Sequence, residues 1–114
     1  MLNFVTMIGT IEKMPEWTVY SEFDSRMLLI LKVERPFRES NGEYANDYFT
    51  VELWRGIAEQ TRDVCRLHDV IAVKGRMITR EYPDADGITR SHVELMAEHV
   101  VFLSRRILSQ SAKD

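Results

Sequence analysis

Apolar and polar side chains alternate along several stretches of this chain with the period of two that sends neighbours to opposite faces of a strand, and one stretch repeats instead at helical spacing. The clearest alternation lies between Asp47 and Arg55: Phe49, Val51 and Leu53 share one face, and Tyr48, Thr50, Glu52 and Trp54 share the other. A first strand is predicted near Asn3 to Glu12, leading through Met14-Pro15-Glu16 into a segment that bears Trp17, Tyr20 and Phe23. A second runs from about Met27 to Arg35, and Pro36, with no amide hydrogen to give to a ladder, ends its regular phase. The turn at Ser40-Asn41-Gly42-Glu43 predicts a hairpin into a third strand, Tyr44 to Trp54, because Asn-Gly readily supplies positive backbone torsions.

From Gly56 to about Leu67 the period changes. Ile57, Thr61, Val64, Cys65 and His68 recur at helical spacing while Glu59, Arg62, Asp63 and Arg66 face outward, which predicts a short amphipathic helix. A fourth strand, Val70 to Tyr82, reaches a turn at Pro83-Asp84-Ala85-Asp86-Gly87, and a fifth follows from about Thr89 to Leu103. The stretch from Ser104 to Asp114 has little to bury.

Three strands, a helix and two strands is the order of an all-β, five-stranded oligonucleotide/oligosaccharide-binding (OB-fold) barrel with one short α-helix between strands 3 and 4. A small half-open barrel of another kind competes with it, and the position of the helix favours the first. The 114 residues suit one domain whose core needs no metal or disulfide staple. The long apolar run Met27 to Leu31 is too short to cross a bilayer, and Met1 to Ile8 lacks the charged start and small-residue cleavage site of an export signal. A cytoplasmic protein with no membrane partner is expected. Cys65 has no second cysteine to pair with and is expected to be a buried thiol.

A formal net charge of -3 argues at first against a polyanionic partner. The distribution alters that view. On the fourth strand the even positions carry Lys74, Arg76, Ile78, Arg80 and Tyr82, and the odd ones Ile71, Val73, Gly75, Met77 and Thr79, so one face is basic and ends in an aromatic. Glu39, Glu43, Glu59, Asp63, Asp84 and Asp86 gather in predicted loops and on the helix surface. A local positive field can coexist with a negative total.

Two large rings on the otherwise polar face of the third strand, with Arg55 beside them, suit a platform on which flat ligands stack, and nucleic-acid bases are the commonest such ligands. The bland alternative is that Tyr48 or Trp54 seals a subunit interface, and that Arg35, Arg55, Arg76 and Arg80 are solvated charges balancing nearby acids. Trp17 and Tyr20 read more readily as packing residues than as a binding surface. Catalysis finds little support: there is no nucleophile in an elbow or triad setting, and no glycine-rich loop opens a helix to cradle phosphate. His68, His92 and His99 lack metal-ligand spacing, and Asp84 and Asp86, beside Pro83 and Gly87, read as turn formers. No enzyme activity, metal or cofactor is expected.

The residues Asn3-x-Val5-x-Met7-Ile8-Gly9, Arg35-x-Phe37, Gly42-Glu43, Asp47-Tyr48-Phe49-x-Val51-x-Leu53-Trp54-Arg55, Ala58-Glu59, Gly75-Arg76-x-x-x-Arg80-x-Tyr82, Asp86-Gly87 and Glu94, in this order and spacing, resemble the bacterial single-stranded DNA-binding protein family. The resemblance covers about Met1 to Arg105 and implies a binding domain over 1–105 with a short flexible tail over 106–114. It places the family's four base-stacking aromatics at Phe37, Tyr48, Trp54 and Tyr82. Phosphates would be tracked by Arg35, Arg38, Arg55, Lys74, Arg76 and Arg80. It further implies a homotetramer with first strands pairing between subunits, a nucleoid-associated location, and a part in replication, repair, recombination or DNA uptake.

Two departures stand out. Full-length relatives extend into a linker and an acidic tip that recruits other proteins, whereas this sequence stops at Ser111-Ala112-Lys113-Asp114, so tail-mediated recruitment is not expected. It resembles either a naturally short form, such as that used in DNA uptake, or a trimmed one. The segment Trp17 to Arg26 lacks the glycines common there in the family, which leaves the shape of the first hairpin open. An oligomeric adaptor built on the same barrel and an RNA-binding barrel are the alternative functions.

Overall fold

The inward positions of every strand are the apolar ones, and this closes the sheet. Ile11, Met27, Leu29, Leu31, Val51, Leu53, Ile71, Val73 and Leu95 are all shut off from solvent, and within each strand they occupy alternate positions. Each such side chain stabilises the fold by about 1.5–3 kcal/mol relative to exposure. The computed structural model describes residues 1–19 and 25–104, and side chains except those of 14–19. Its elements are β1 (Val5–Val19), β2 (Ser25–Arg38), β3 (Tyr44–Trp54), α1 (Arg55–Val64), β4 (Val70–Pro83) and β5 (Thr89–Phe102). The strands form a closed barrel in the order β1-β2-β3-β5-β4, with β1 returning to pair with β4. This is the expected five-stranded barrel with one helix between its third and fourth strands.

The barrel closes in two ways. Strand β1 divides its length, pairing antiparallel with β4 through Val5–Thr10 and with β2 from Thr10 onward, with register shifts between Ile11 and Glu16 that let it bend from one neighbour to the other. Strands β3 and β5 meet in a short parallel contact, Val51 opposite Leu95 and Glu52 opposite Met96. Gly75 permits a further close approach beside a register shift in the β4–β5 ladder, because a Cβ there would sit 1.9 Å from the carbonyl oxygen of Met96.

The hairpin from β2 to β3 is as expected. Gly42 takes φ 84°, its amide donates to the Glu39 carbonyl at 2.9 Å, and the Asn41 side chain accepts the amide of Glu43 at 3.0 Å. Pairing between the two strands is interrupted between Glu34 and Arg38, where Pro36 falls.

The helix is shorter than the spacing predicts. It ends at Val64, and Cys65 is already extended, because the chain is pulled into a turn by a contact distant in sequence. The carboxylate of Asp69 accepts the amide of Arg66 at 2.9 Å, while the amide of His68 donates to the carbonyl of Ile11 at 2.8 Å. His68 therefore sits at φ 70° in the turn, exposed, rather than on the buried helix face with Ala58 and Thr61. Cys65 is buried, as expected, but just beyond the helix end. The side chain of Trp17, all of Tyr20 and Phe23, and the segment 105–114 lie outside the described residues.

Candidate nucleic-acid interface

Since Val51 and Leu53 point into the barrel, Glu52 and Trp54 between and beyond them must point out of it, and on β5 the same alternation around inward Leu95 sends Glu94 and Met96 outward. The β4–β5 ladder sets Arg76 opposite Met96 and Arg80 opposite His92, and the β2–β3 ladder sets Arg26 opposite Trp54. One patch of outer wall thus collects residues from four strands.

Glu52 faces outward yet is 0% exposed, because its neighbours cover it with donors. Its Oε1 accepts the Trp54 indole N–H at 2.5 Å and Arg80 Nη2 at 2.8 Å; its Oε2 accepts Arg80 Nε at 3.2 Å and Arg26 Nη2 at 3.4 Å. Arg26 also donates to the Tyr82 hydroxyl, which in turn donates to Glu94 at 3.2 Å. The Arg26 guanidinium lies between two rings, 5.9 Å from the centroid of Trp54 and 5.8 Å from that of Tyr82.

Protonation follows from this packing. Burial pushes the Glu52 carboxyl up, but the hydrogen bonds from Arg80, Glu94 and Trp54 and the charge of Arg26 outweigh it and hold the group below the usual carboxylate range. Glu94 is raised, by burial first and then by its interaction with Glu52. Arg80 is raised by its bond to Glu52, and the Tyr82 phenol is raised chiefly by burial.

Beside this cluster opens a shallow concavity lined by Trp54, Arg55, Arg76, Arg80 and Met96. Four of the candidate residues therefore meet at one place, with Tyr82 reached through Arg26. Arg55 holds φ 50°, a left-handed conformation that costs a residue with a Cβ about 1–2 kcal/mol, at the junction where β3 becomes the helix. The remaining candidates lie elsewhere. Tyr48 is 57% exposed further along β3, and Phe37 is 58% exposed on the β2–β3 hairpin. On the same hairpin Arg35 grips Asp47 through two bonds of 2.8 and 3.0 Å, which raises the arginine and lowers the acid, and Arg38 lies 5.2 Å over the ring of Tyr44. Lys74 lies 5.2 Å over the exposed ring of Phe4, towards β1. None of Phe37, Tyr48, Arg35, Arg38 and Lys74 lines the concavity.

Arg26, and the carboxylates of Glu52 and Glu94 as its partners, carry no such role in the sequence reading. The outward phase of Glu52 next to Trp54 was legible; that two cations from other strands, Arg26 and Arg80, would join the Trp54 ring in covering it was not. Among the described residues no group of three or more His, Cys, Asp or Glu side chains could hold a metal ion, and no helix is long and apolar enough to cross a membrane.

Residues 2–103 match the model of the single-strand binding protein family. The chain belongs to that family. Single-stranded DNA-binding protein B of Bacillus subtilis is 30% identical over 112 residues, which span 98% of this chain and 99% of that protein. The single-stranded DNA-binding protein of Halalkalibacterium halodurans is 32% identical over 106 residues, 93% of this chain but 63% of that longer protein. Among solved structures, a small single-stranded DNA-binding protein from Streptomyces coelicolor superposes with a TM-score of 0.69 at 17% identity, covering 93% of this chain and 99% of that one. That last likeness speaks for the barrel alone.

Proposed function

We propose that this family member binds single-stranded DNA without regard to sequence, holding bases against aromatic rings on the barrel wall and phosphates against arginines, and so keeps unpaired strands open and protected during replication, repair, recombination or DNA uptake. The observation that carries this reading is the concavity where the ring of Trp54 meets the guanidinium groups of Arg55, Arg76 and Arg80. A ring and cations on a rigid wall are what a flexible, charged strand with flat bases needs. Each stacked base contributes about 1–3 kcal/mol, nearly blind to sequence because every base has a flat face. Duplex is refused because its bases are already stacked and paired. Tyr48 and Phe37, exposed further along the same strands and hairpin, extend the path that a strand would follow.

The reading is of a binding protein rather than an enzyme, working in the cytoplasm where single strands arise, and assembled as a homotetramer. Titration with oligothymidylate should quench tryptophan emission through Trp54. An unchanged spectrum with no complex on a gel would leave the adaptor as the function, and preference for oligouridylate would mark an RNA-binding protein, since the 2′-hydroxyl is what distinguishes the two.

A further inference from the structure

We propose that Glu52 is the positioning residue of the stacking platform: a buried carboxylate that fixes the Trp54 ring and the Arg80 guanidinium in the orientation a single strand meets. The inference rests on the DNA-binding reading above and adds a residue that does not itself touch the ligand. A carboxylate has two oxygens and about four lone-pair directions, and here four N–H donors converge on them, one from Trp54, two from Arg80 and one from Arg26. The bond to the indole sets how the ring stands on the strand. The two bonds to Arg80 hold its planar fork by one edge, and the side chain as a whole is still 41% exposed, so it is presented to solvent rather than consumed by the pair.

Stability alone does not call for this arrangement, because replacing an entire buried ion cluster by apolar side chains of similar size is often neutral or stabilising. Removing Glu52 by itself takes a carboxylate from Arg26, whose side chain is 12% exposed, and the paired bonds from Arg80, so that single change also costs stability. What an aliphatic side chain could not supply is the fixed direction of two binding groups. A ring free to turn and an arginine free to swing would have to be ordered by the ligand at the ligand's expense, which lowers affinity without removing a contact.

The test uses four variants, Glu52→Leu, Glu52→Gln, Trp54→Ala and the Glu52→Leu/Trp54→Ala double variant. Binding is read as anisotropy of a labelled oligothymidylate, with melting by circular dichroism alongside. Glu52→Leu should bind about tenfold more weakly at a temperature where it is fully folded. Glu52→Gln, whose amide oxygen can still accept the indole N–H, should lose about threefold. Trp54→Ala should cost far less in the Glu52→Leu background than in the wild type, because the two residues act as one unit. In the free protein the Trp54 indole resonance should move upfield in Glu52→Leu, with that of Trp17 as reference. Binding by Glu52→Leu within twofold of wild type, or losses that simply add in the double variant, would overturn the positioning role and leave the proposed function standing. If Glu52→Leu does not fold, Glu52→Gln decides: affinity and indole shift both equal to wild type would overturn the role. A wild-type chain that binds no oligothymidylate would remove both readings together.

Discussion

Trp54 ends a strand whose inward neighbours are fully buried, and its own ring is only half-buried, so the platform and the core draw on different side chains of β3. That separation makes a sharp expectation. Trp54→Ala should weaken oligothymidylate binding by about 1–3 kcal/mol, the worth of one base stacked on an aromatic, while the midpoint of urea unfolding changes little. Glu52 remains paired with Arg80 and Arg26 in that variant, so the buried charge keeps its partners. A chain that unfolds instead would put the ring in the core. Gly75 offers the opposite case, a residue with no ligand contact and no room. A methyl group there meets the backbone carbonyl of Met96, which cannot rotate away as a side chain would. Gly75→Ala should therefore lower stability by about 1–3 kcal/mol or more, read as a lower urea midpoint at unchanged slope.

The turn between β4 and β5 is an element whose stability depends on pH. The Asp84 carboxylate accepts Arg90 Nε at 2.6 Å and the amides of Ile88 and Asp86 at 2.9 and 3.0 Å, and Gly87 supplies φ 79°. The bond from Arg90 first, then those amides, hold the carboxyl below its ordinary value near 3.8. A folded value lower than the unfolded one means the contribution is fully present above the unfolded value and fades as pH falls through the folded one. Wild type should thus unfold at higher urea than Asp84→Asn at pH 7, and the difference should shrink only below about pH 4. This turn was legible in the sequence, as was the hairpin at Asn41-Gly42, because both are made by neighbouring residues. Strand phase was legible too where inward side chains are buried at alternate positions, as at Met27, Leu29 and Leu31 on β2 and Val51 and Leu53 on β3. What the sequence did not carry is whatever barrel closure decides: the end of α1, set by Asp69 and by Ile11 from another strand, and the burial of Glu52 beneath Arg26, Arg80 and Trp54. The even face of β4 was correctly basic, but that Arg80 would be held by a carboxylate on β3 depended on β5 lying between them.

At the scale of the whole molecule the charges and one strand edge decide behaviour. The net charge is -3, and Arg35, one of the candidate phosphate contacts, is held by the carboxylate of Asp47. Six phosphate contacts per chain would give a salt slope of about -4 for single strands, so a shallower dependence of log affinity on log salt is expected here, with stacking carrying more of the energy. The strand edge concerns assembly. Among the described residues, Val5–Gly9 pair with β4 on one side only, while Val5 and Met7 pack towards the core and Leu2, Phe4 and Ile8 stand exposed. An open ladder edge flanked by large apolar side chains is a surface that proteins rarely leave in water, and an antiparallel pairing of two such edges across a two-fold axis would satisfy the backbone and cover the side chains at once. Because Ile8 is exposed within its own chain, Ile8→Glu should leave the barrel folded and set two like charges against each other wherever first strands meet. Light scattering should give a tetramer mass for the wild type and a smaller species for Ile8→Glu, with unchanged circular dichroism; a monomer mass for the wild type would rule the assembly out. Oligothymidylate binding provides a second readout: Trp54, Arg55, Arg76, Arg80 and Met96 of a single chain suffice to line the concavity, so a dissociated variant should still bind short oligonucleotides while losing affinity for long ones that need several subunits.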